Sequence, residues 1–315
     1  MVNEKSHSQK LNDARVYVSL RELIAMRQRA RGFSFLPKQP IGSLLSGRKR
    51  SRLRGRGLDF EELRHYRQGD DIRNIDWRVT NRTGKPHVRV FSEEKDRPVI
   101  VVVDQRLPMF FGSVEKMKSV TACELAALSL WNVLKNGDRV GAVIFNDSEV
   151  EEFRPSRSKN TNMAILSALT KMNHSLAADA LHSASATQLE TALQKVERLV
   201  GHDYLVILIS DFFGWSEKVL SSIKRIRQHN DLIAGLVFDP LEKSFSSTEH
   251  FVVSDGDFQL EVPASNPKFR ETYSESFQLS VAGIQQQLKK HDIPLLPINN
   301  VEDCATQVQK QLGRL

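Results

Sequence analysis

Cysteine is scarce in this chain of 315 residues, which has only Cys123 and Cys304, far apart and without metal-ligand spacing. Two such thiols exclude a disulfide scaffold and a cysteine-based zinc centre, and both are expected to be reduced and structural, Cys123 within an apolar helical pattern. Long apolar runs are missing as well. No stretch approaches the ~20 residues of a membrane span, and the opening MVNEKSHSQK lacks the apolar segment of a signal peptide. The expected compartment is therefore the cytoplasm. Signatures of catalysis are absent too: Gly84-Lys85 runs into Pro86 and not into the Ser or Thr of a phosphate-binding Walker loop, and neither H-E-x-x-H nor G-x-S-x-G occurs. The chain is expected not to be an enzyme, and any ATP hydrolysis coupled to it would belong to a partner.

The composition is that of an ordinary globular protein, 40% hydrophobic and 26% charged. Its length gives ample core for one large domain or two modest ones. The net charge of +7 is unevenly spread: residues 1–97 hold 23 Lys+Arg against 12 Asp+Glu, a balance of +11, and the remainder holds 22 against 26, a balance of −4. Six of these cations lie between Arg48 and Arg56 in GRKRSRLRGRG. Such a run can neutralise phosphates, but no aromatic is interleaved to stack bases. An acidic protein partner, or pairing with Glu61, Glu62, Asp70 and Asp71 of the same chain, is the favoured reading; nucleic-acid binding through Arg48–Arg56 is the alternative.

Residues 13–32 place Val16, Leu20, Leu23, Ile24 and Met26 near helical period, which predicts an amphipathic helix packed on the main body. Pro37, Pro40 and Gly42 then open a linker. HVRVF (87–91) alternates like a strand, and PVIVVVD (98–104) is a continuous apolar run of the kind found in a central parallel strand buried on both faces. Helices at 116–134, 162–172, 188–199 and 217–228 alternate with strands at 140–145, 205–210 and 232–238, with a short return strand at 150–153. A hairpin around Asp255-Gly256, a helix at 269–289, a strand at 293–298 and a closing helix at 303–312 complete the pattern. Such alternation predicts a doubly wound, mainly parallel α/β sheet with ligands at the carboxyl ends of its strands, where Asp104, Asp211 and Asp239 stand. Three segments follow: an N-terminal helix and linker (1–47), a basic and ion-paired segment (48–97) and the α/β domain (98–315).

The densest information lies at 55–91. Arg64, Tyr66, Arg67, Asp70, Asp71, Arg73, Asp76, Trp77 and Arg78 interleave both charges with aromatics. The alternation lets each carboxylate find a guanidinium nearby, while Gly69 marks a turn and the aspartates suit helix caps. Tyr66 and Trp77 are expected to supply the apolar mass that holds the segment against something larger. Arg64, Tyr66, Asp70, Asp71, Arg73, Asp76 and Trp77 are thus expected either to fasten the N-terminal region or to present a docking face, fastening being favoured. The pattern GRG-x-DF-x-x-x-R-x-Y-x-x-GDD-x-R-x-IDW, followed by T-x-R-x-G-K-P-x-V-R-x-F-x-EE, resembles the bacterial family called "domain of unknown function 58". That resemblance implies a von Willebrand factor type A core, a non-enzymatic role and a MoxR-type AAA+ ATPase as partner.

The resemblance also implies a place for a divalent metal. A von Willebrand A core holds Mg²⁺ with D-x-S-x-S after its first strand, plus a threonine and an aspartate from later loops, an oxygen set matched to octahedral Mg²⁺. Here the first loop is Asp104-Gln105-Arg106-Leu107-Pro108, so the carboxylate stays and both hydroxyls are gone. Thr187 and Asp211 stand as candidates for the later ligands. Arg106 brings a fixed charge that would repel each unit of positive charge at ~4 Å by roughly 4 kcal/mol, and Pro108 offers no ligand, so Mg²⁺ is disfavoured and no cofactor is expected. The planar fork of Arg106 is expected to bridge Asp104 and Asp211 in place of the metal. The competing enzyme reading is a metal-dependent nuclease or phosphohydrolase using Asp104, Asp211 and Asp239.

Overall fold

The computed structural model describes residues 13–35, 58–93, 97–177, 184–243, 251–254, 259–262 and 267–313. The linker prolines, the basic run Arg48–Arg56 and the Asp255-Gly256 turn lie outside the described residues. Two compact units result, one spanning Lys38–Asp96 and the other made of Met1–Pro37 with Arg97–Leu315. Helix α1 (Leu20–Arg29) belongs to the larger unit. The smaller unit contains strand β1 (Leu58–His65), a 3-10 turn (Ile72–Asn74), helix α2 (Trp77–Thr83) and strand β2 (His87–Glu93). The larger unit resumes with β3 (Val99–Asp104), α3 (Lys118–Lys135), β4 (Val140–Phe145), β5 (Val150–Ser156), α4 (Lys159–His174) and α5 (Gln188–Leu199). It continues through β6 (Leu205–Ser210), α6 (Glu217–His229), β7 (Asp231–Phe238) and the short α7 (Pro240–Lys243). It ends with the hairpin β8 (Phe251–Ser254) and β9 (Gln259–Val262), α8 (Pro267–Lys289), β10 (Leu295–Asn299) and α9 (Cys304–Leu312).

The main sheet has six strands in the order β10-β7-β6-β3-β4-β5. All pairings are parallel except that of β5, which returns antiparallel on β4. Alternation along β3 divides the core. Val99, Val101 and Val103 face α1, α3, α4 and α9, whereas Ile100 and Val102 face α5, α6 and α8. Helices on both faces make the sheet doubly wound, as the sequence predicts. Both edge strands carry a proline, Pro155 in β5 and Pro297 in β10, and a residue without an N–H blunts an edge against further pairing. The register of β4 and β5 slips between Val140 and Ala142. Gly141 sits in that bulge, where a Cβ would lie 2.3 Å from the Phe153 carbonyl oxygen.

The N-terminal segment is sewn to the larger unit. Leu23 and Phe35 are buried, each worth about 1.5–3 kcal/mol of transfer free energy. Its long-range hydrogen bonds include Trp131 Nε1 donating to the Leu23 carbonyl (2.9 Å), Asn132 Nδ2 to that of Phe33 (2.9 Å), Tyr17 Oη to that of Leu176 (2.8 Å), and the Val18 amide to Asn173 Oδ1 (2.9 Å). The helix begins at Leu20 and not at residue 13, because Ser19 and Glu22 form a reciprocal capping box. Val16 consequently lies in the preceding turn.

In the smaller unit β1 pairs antiparallel with β2. Asp71 caps the 3-10 turn, and Asp76 caps α2 by accepting from the Arg78 and Val79 amides. Gly84 closes α2 with a left-handed φ of 69°.

Candidate functional site

The chain reverses its winding direction between β3 and β6, and in an open α/β sheet the crevice at such a point is where ligands bind. Asp104 ends β3 and Ser210 ends β6. The Asp104 carboxylate is fully buried and receives four hydrogen bonds. Oδ1 accepts from the Arg106 amide (3.0 Å) and Nε (3.0 Å), and Oδ2 accepts from Arg106 Nη2 (2.6 Å) and the Ser210 hydroxyl (2.6 Å). Arg106 is itself 0% exposed, the largest fully buried side chain among the described residues. Its remaining donors reach the Ser185 carbonyl through Nη1 (3.0 Å) and the Phe213 carbonyl through Nη2 (3.0 Å). The rings of Phe145 and Phe213 lie 5.4 and 5.6 Å from its guanidinium carbon, a cation–π arrangement that favours the charged form.

Local backbone delivers these partners. Phe212 adopts a left-handed φ of 61°, a conformation that costs a bulky residue about 1–3 kcal/mol. It is held there by its amide donating to Ser210 Oγ (2.9 Å) and by the Phe213 amide donating to Asp211 Oδ1 (2.9 Å). Gly214 follows at φ 76°, where a Cβ would meet the Ala186 carbonyl oxygen at 2.3 Å. Asp147 accepts from the Leu107 amide (2.6 Å) and the Ser185 amide (2.7 Å), clamping the loop after β3 to the loop before α5.

A second cation completes the cleft. Lys118, in the first turn of α3 with a side chain 3% exposed, donates to Asp211 Oδ2 (3.0 Å) and Glu242 Oε1 (2.7 Å). Arg106 therefore does not bridge Asp104 and Asp211 as expected. It lies two residues after Asp104, so its fork folds back onto that carboxylate, and Lys118 takes Asp211. Thr187 precedes α5, is exposed, and has its hydroxyl 3.4 Å from that of Ser185; no hydrogen bond joins it to Asp104 or Asp211. Asp239 is a structural acceptor, bound by the Ser113 amide (2.8 Å) and hydroxyl (2.5 Å), the Leu241 amide (2.8 Å) and Asn300 Nδ2 (2.7 Å).

Burial pushes the Asp104 carboxyl up, with Arg106 opposing the shift and Asp211 adding to it. Burial alone would lower Arg106, but Asp104 first, then Asp211 and Asp147, raise it above its usual value. For Lys118 too, Asp211 and Glu242 outweigh desolvation and raise the pKa. Desolvation works against ionised Asp211, yet Lys118 and the Phe213 amide bring it below the usual carboxylate range. Glu242 is pushed up by burial. Two fixed positive charges thus stand among Asp104, Asp211 and Glu242. This donor set does not fit a divalent cation, since both oxygens of Asp104 already accept two hydrogen bonds each and a dication at ~4 Å from Arg106 would meet roughly 8 kcal/mol of repulsion. Among the described residues no cluster of three or more His, Cys, Asp and Glu is placed to hold a metal. Lys118 is not among the residues that the sequence singles out; the signal that marks it is a lysine at the head of the apolar run MKSVTACELAALSL.

The interleaved charges of the smaller unit pair as two local networks. Arg64 grips Asp70 bidentately (2.8 and 2.8 Å), and the Arg67 amide adds a third bond to it (2.8 Å). Arg89 holds Asp76 (2.8 Å). Tyr66 is half-buried and its amide donates to the Pro86 carbonyl (2.9 Å). Arg73 is exposed, its amide bound to Asp71 (3.0 Å). Trp77 is 65% exposed and so is not the apolar mass that this segment buries.

The family profile described as "Protein of unknown function DUF58" matches residues 62–281. The chain belongs to the DUF58 family. Among curated relatives, the "Uncharacterized protein Rv1480" of Mycobacterium tuberculosis and the "Uncharacterized protein Mb1516" of Mycobacterium bovis are each 26% identical over 275 residues, 86% of this chain and 84% of theirs. Two solved structures are also similar. The "conserved hypothetical protein BatB" of Bacteroides thetaiotaomicron has a TM-score of 0.41 at 12% identity, over 68% of this chain and 96% of its own. A "von Willebrand factor type A" structure from Catenulispora acidiphila has a TM-score of 0.32 at 8% identity, over 71% of this chain and 42% of its own. The doubly wound core of this DUF58 protein rests on its own strand order. No helix among its described residues is long and apolar enough to cross a membrane.

Proposed function

We propose that this DUF58 protein is a non-enzymatic protein-interaction module whose ligand crevice is kept permanently in one state by its own cations. The observation that carries the reading is the pairing of fully buried Arg106 with Asp104 and of Lys118 with Asp211 and Glu242. A metal in such a crevice exchanges with solvent and offers an open coordination position to an acidic partner. Covalently attached guanidinium and ammonium groups do neither, so the crevice works as a rigid hub that fixes the loops after β3, β6 and β7. Partner recognition then falls to surfaces that this hub positions. The finer reading, from the resemblance carried by residues 55–94, is an adaptor for a MoxR-type AAA+ ATPase in protein maturation or stress response, located in the cytoplasm.

Affinity isolation of the full chain from its native cell tests this. The expected result is a stoichiometric AAA+ ATPase whose hydrolysis rate changes when purified DUF58 protein is added. Isolation without any ATPase, or an ATPase whose rate is indifferent to the protein, would overturn the adaptor reading. The nuclease reading requires Asp104, Asp211 and Asp239 to share metal ions, and each carboxylate is instead engaged by a separate set of donors. Degradation of DNA or RNA in the presence of Mn²⁺, lost in Asp104→Asn, would restore it.

A further inference from the structure

The amino ends of β4 and β6, at the opposite end of the sheet from Asp104, hold a cleft of about 490 Å³, within the roughly 300–1,000 Å³ of small-molecule sites. Three arginines from three parts of the chain line it. Arg139 precedes β4, Arg154 lies in β5 and Arg198 in the last turn of α5. Their backbones are fixed: the Val99 amide donates to the Arg139 carbonyl (2.8 Å), Ser156 at the end of β5 pairs with Val140, and the Val200 amide closes α5 on the Val196 carbonyl (2.9 Å). Tyr204, half-buried before β6, completes the wall. Its amide donates to Asn230 Oδ1 (2.9 Å) and its carbonyl accepts from the Asp231 amide (2.9 Å). Pro155 and Leu199 add apolar surface to the lining. The cleft therefore presents cations and a ring on a backbone that folding has already ordered, which lowers what a ligand must supply to bind.

Charge in the cleft is not balanced. Glu152 is its one lining carboxylate among the described residues. The acids of α5 are turned to α6, Glu190 to Lys218 (3.9 Å) and Glu197 to Arg225 (2.9 Å). Arg154 and Arg198 are exposed, and neither forms an ion pair among the described residues. The carboxyl end of α5 offers Arg198 only about half a negative charge. Three guanidiniums around one carboxylate repel one another, and a multiply charged anion between them removes that repulsion. Each guanidinium has five N–H donors in a planar fork, so one that is bound elsewhere still has donors to offer. The fork takes phosphate or carboxylate oxygens in pairs. A carboxylate is planar and offers two oxygens, enough for one fork, whereas linked phosphates offer oxygens on several sides and suit forks that arrive from three directions. A nucleic-acid strand needs a groove that tracks its backbone, with aromatics for successive bases, and this cleft has a single tyrosine. We propose that Arg139, Arg154 and Arg198 bind a small molecule bearing two or more linked phosphates, its organic part, where it has one, lying against Tyr204. The site is separate from the Asp104 crevice, so its failure would leave the interaction-module reading standing.

The test uses the full chain labelled with 3-fluorotyrosine, with the Tyr204 resonance assigned by Tyr204→Phe. Inorganic pyrophosphate and ADP are titrated in at low ionic strength, where exposed charges are least screened, alongside citrate, an acetylated hexaglutamate peptide and a single-stranded oligonucleotide. Pyrophosphate and ADP are expected to shift the Tyr204 resonance to saturation while those of Tyr17 and Tyr66 stay in place. Tighter ADP assigns the organic part to Tyr204, equal affinity assigns the site to the phosphates alone, and either result supports the proposal. Arg154→Gln/Arg198→Gln is expected to weaken both ligands roughly tenfold or more with an unchanged melting temperature, since both side chains are exposed. Four results would overturn the proposal: no saturable shift with millimolar pyrophosphate or ADP, an equal shift with citrate or hexaglutamate, half-saturation by the oligonucleotide at a lower phosphate concentration than pyrophosphate requires, or wild-type affinity in the double variant.

Discussion

Replacing Arg106 with methionine keeps an unbranched apolar chain of similar reach and removes the guanidinium. Asp104 would retain its bonds from the residue-106 amide and the Ser210 hydroxyl and lose those from Nε (3.0 Å) and Nη2 (2.6 Å), while the Ser185 and Phe213 carbonyls would lose their donors. Removing one partner of a buried ion pair strands the other charge, at a cost of about 3–5 kcal/mol. In a unit of this size each kcal/mol moves the melting temperature by about 2–4 °C, so the expected fall is roughly 6–20 °C. The loss depends on pH in a definite direction. Without Arg106 the buried Asp104 carboxyl titrates above its unfolded value of about 3.9, so the folded state binds the extra proton. The variant's deficit is then smallest below about pH 4 and grows as pH rises through the raised folded value. Urea unfolding at a series of pH values measures this directly. Asp104→Leu/Arg106→Met, which leaves no charge stranded, should be more stable at neutral pH than Arg106→Met alone. A single variant within about 1 kcal/mol of wild type at neutral pH, or one whose deficit does not change with pH, would refute the account of Arg106 as the charge that closes the cleft.

Three further expectations follow from the same geometry. Lys118→Met strands Asp211 and Glu242 and should cost about 3–5 kcal/mol, less at acid pH because burial already pushes the Glu242 carboxyl up and it protonates first; urea unfolding at two pH values would show it. Gly141→Ala should destabilise by about 1–3 kcal/mol, since its Cβ would lie 2.3 Å from the Phe153 carbonyl oxygen, and a melting temperature equal to wild type would contradict the bulge geometry. The Asp70 carboxyl, lowered to about 2 first by the Arg64 side chain and then by the Arg67 amide, lends the smaller unit stability that is complete above its unfolded value of about 3.9 and is lost as pH falls through the folded value. Carboxyl NMR should find that midpoint, and a titration in the ordinary aspartate range would show that Arg64 is not holding it.

Much of this architecture was legible in the sequence because it is written in short periods. The runs at 140–145, 188–199 and 205–210 coincide with β4, α5 and β6 residue for residue, since continuous apolar runs and a helical period are local properties. Strand β1 was not legible, because its register with β2 slips between Phe60 and Glu62 and the bulge breaks the period of two. Helix α1 starts later than the periodicity of residues 13–32 predicts, because Ser19-Leu20-Arg21-Glu22 forms a capping box that is visible in the residues themselves. The cleft was half legible. Arg106 follows Asp104 by two positions, so their pairing is local, while Lys118 reaches Asp211 across 93 positions and Ser210 reaches Asp104 across 106. Those contacts exist only once the sheet order is fixed.

The most direct test of a cleft filled by its own cations is calorimetric titration of Mg²⁺ and Mn²⁺ into the metal-free full chain. The expected result is no saturable heat, alongside a gain of binding in Arg106→Ser/Pro108→Ser, which rebuilds D-x-S-x-S after β3. A one-site isotherm with micromolar affinity in the wild type, abolished by Asp104→Ala, would contradict it.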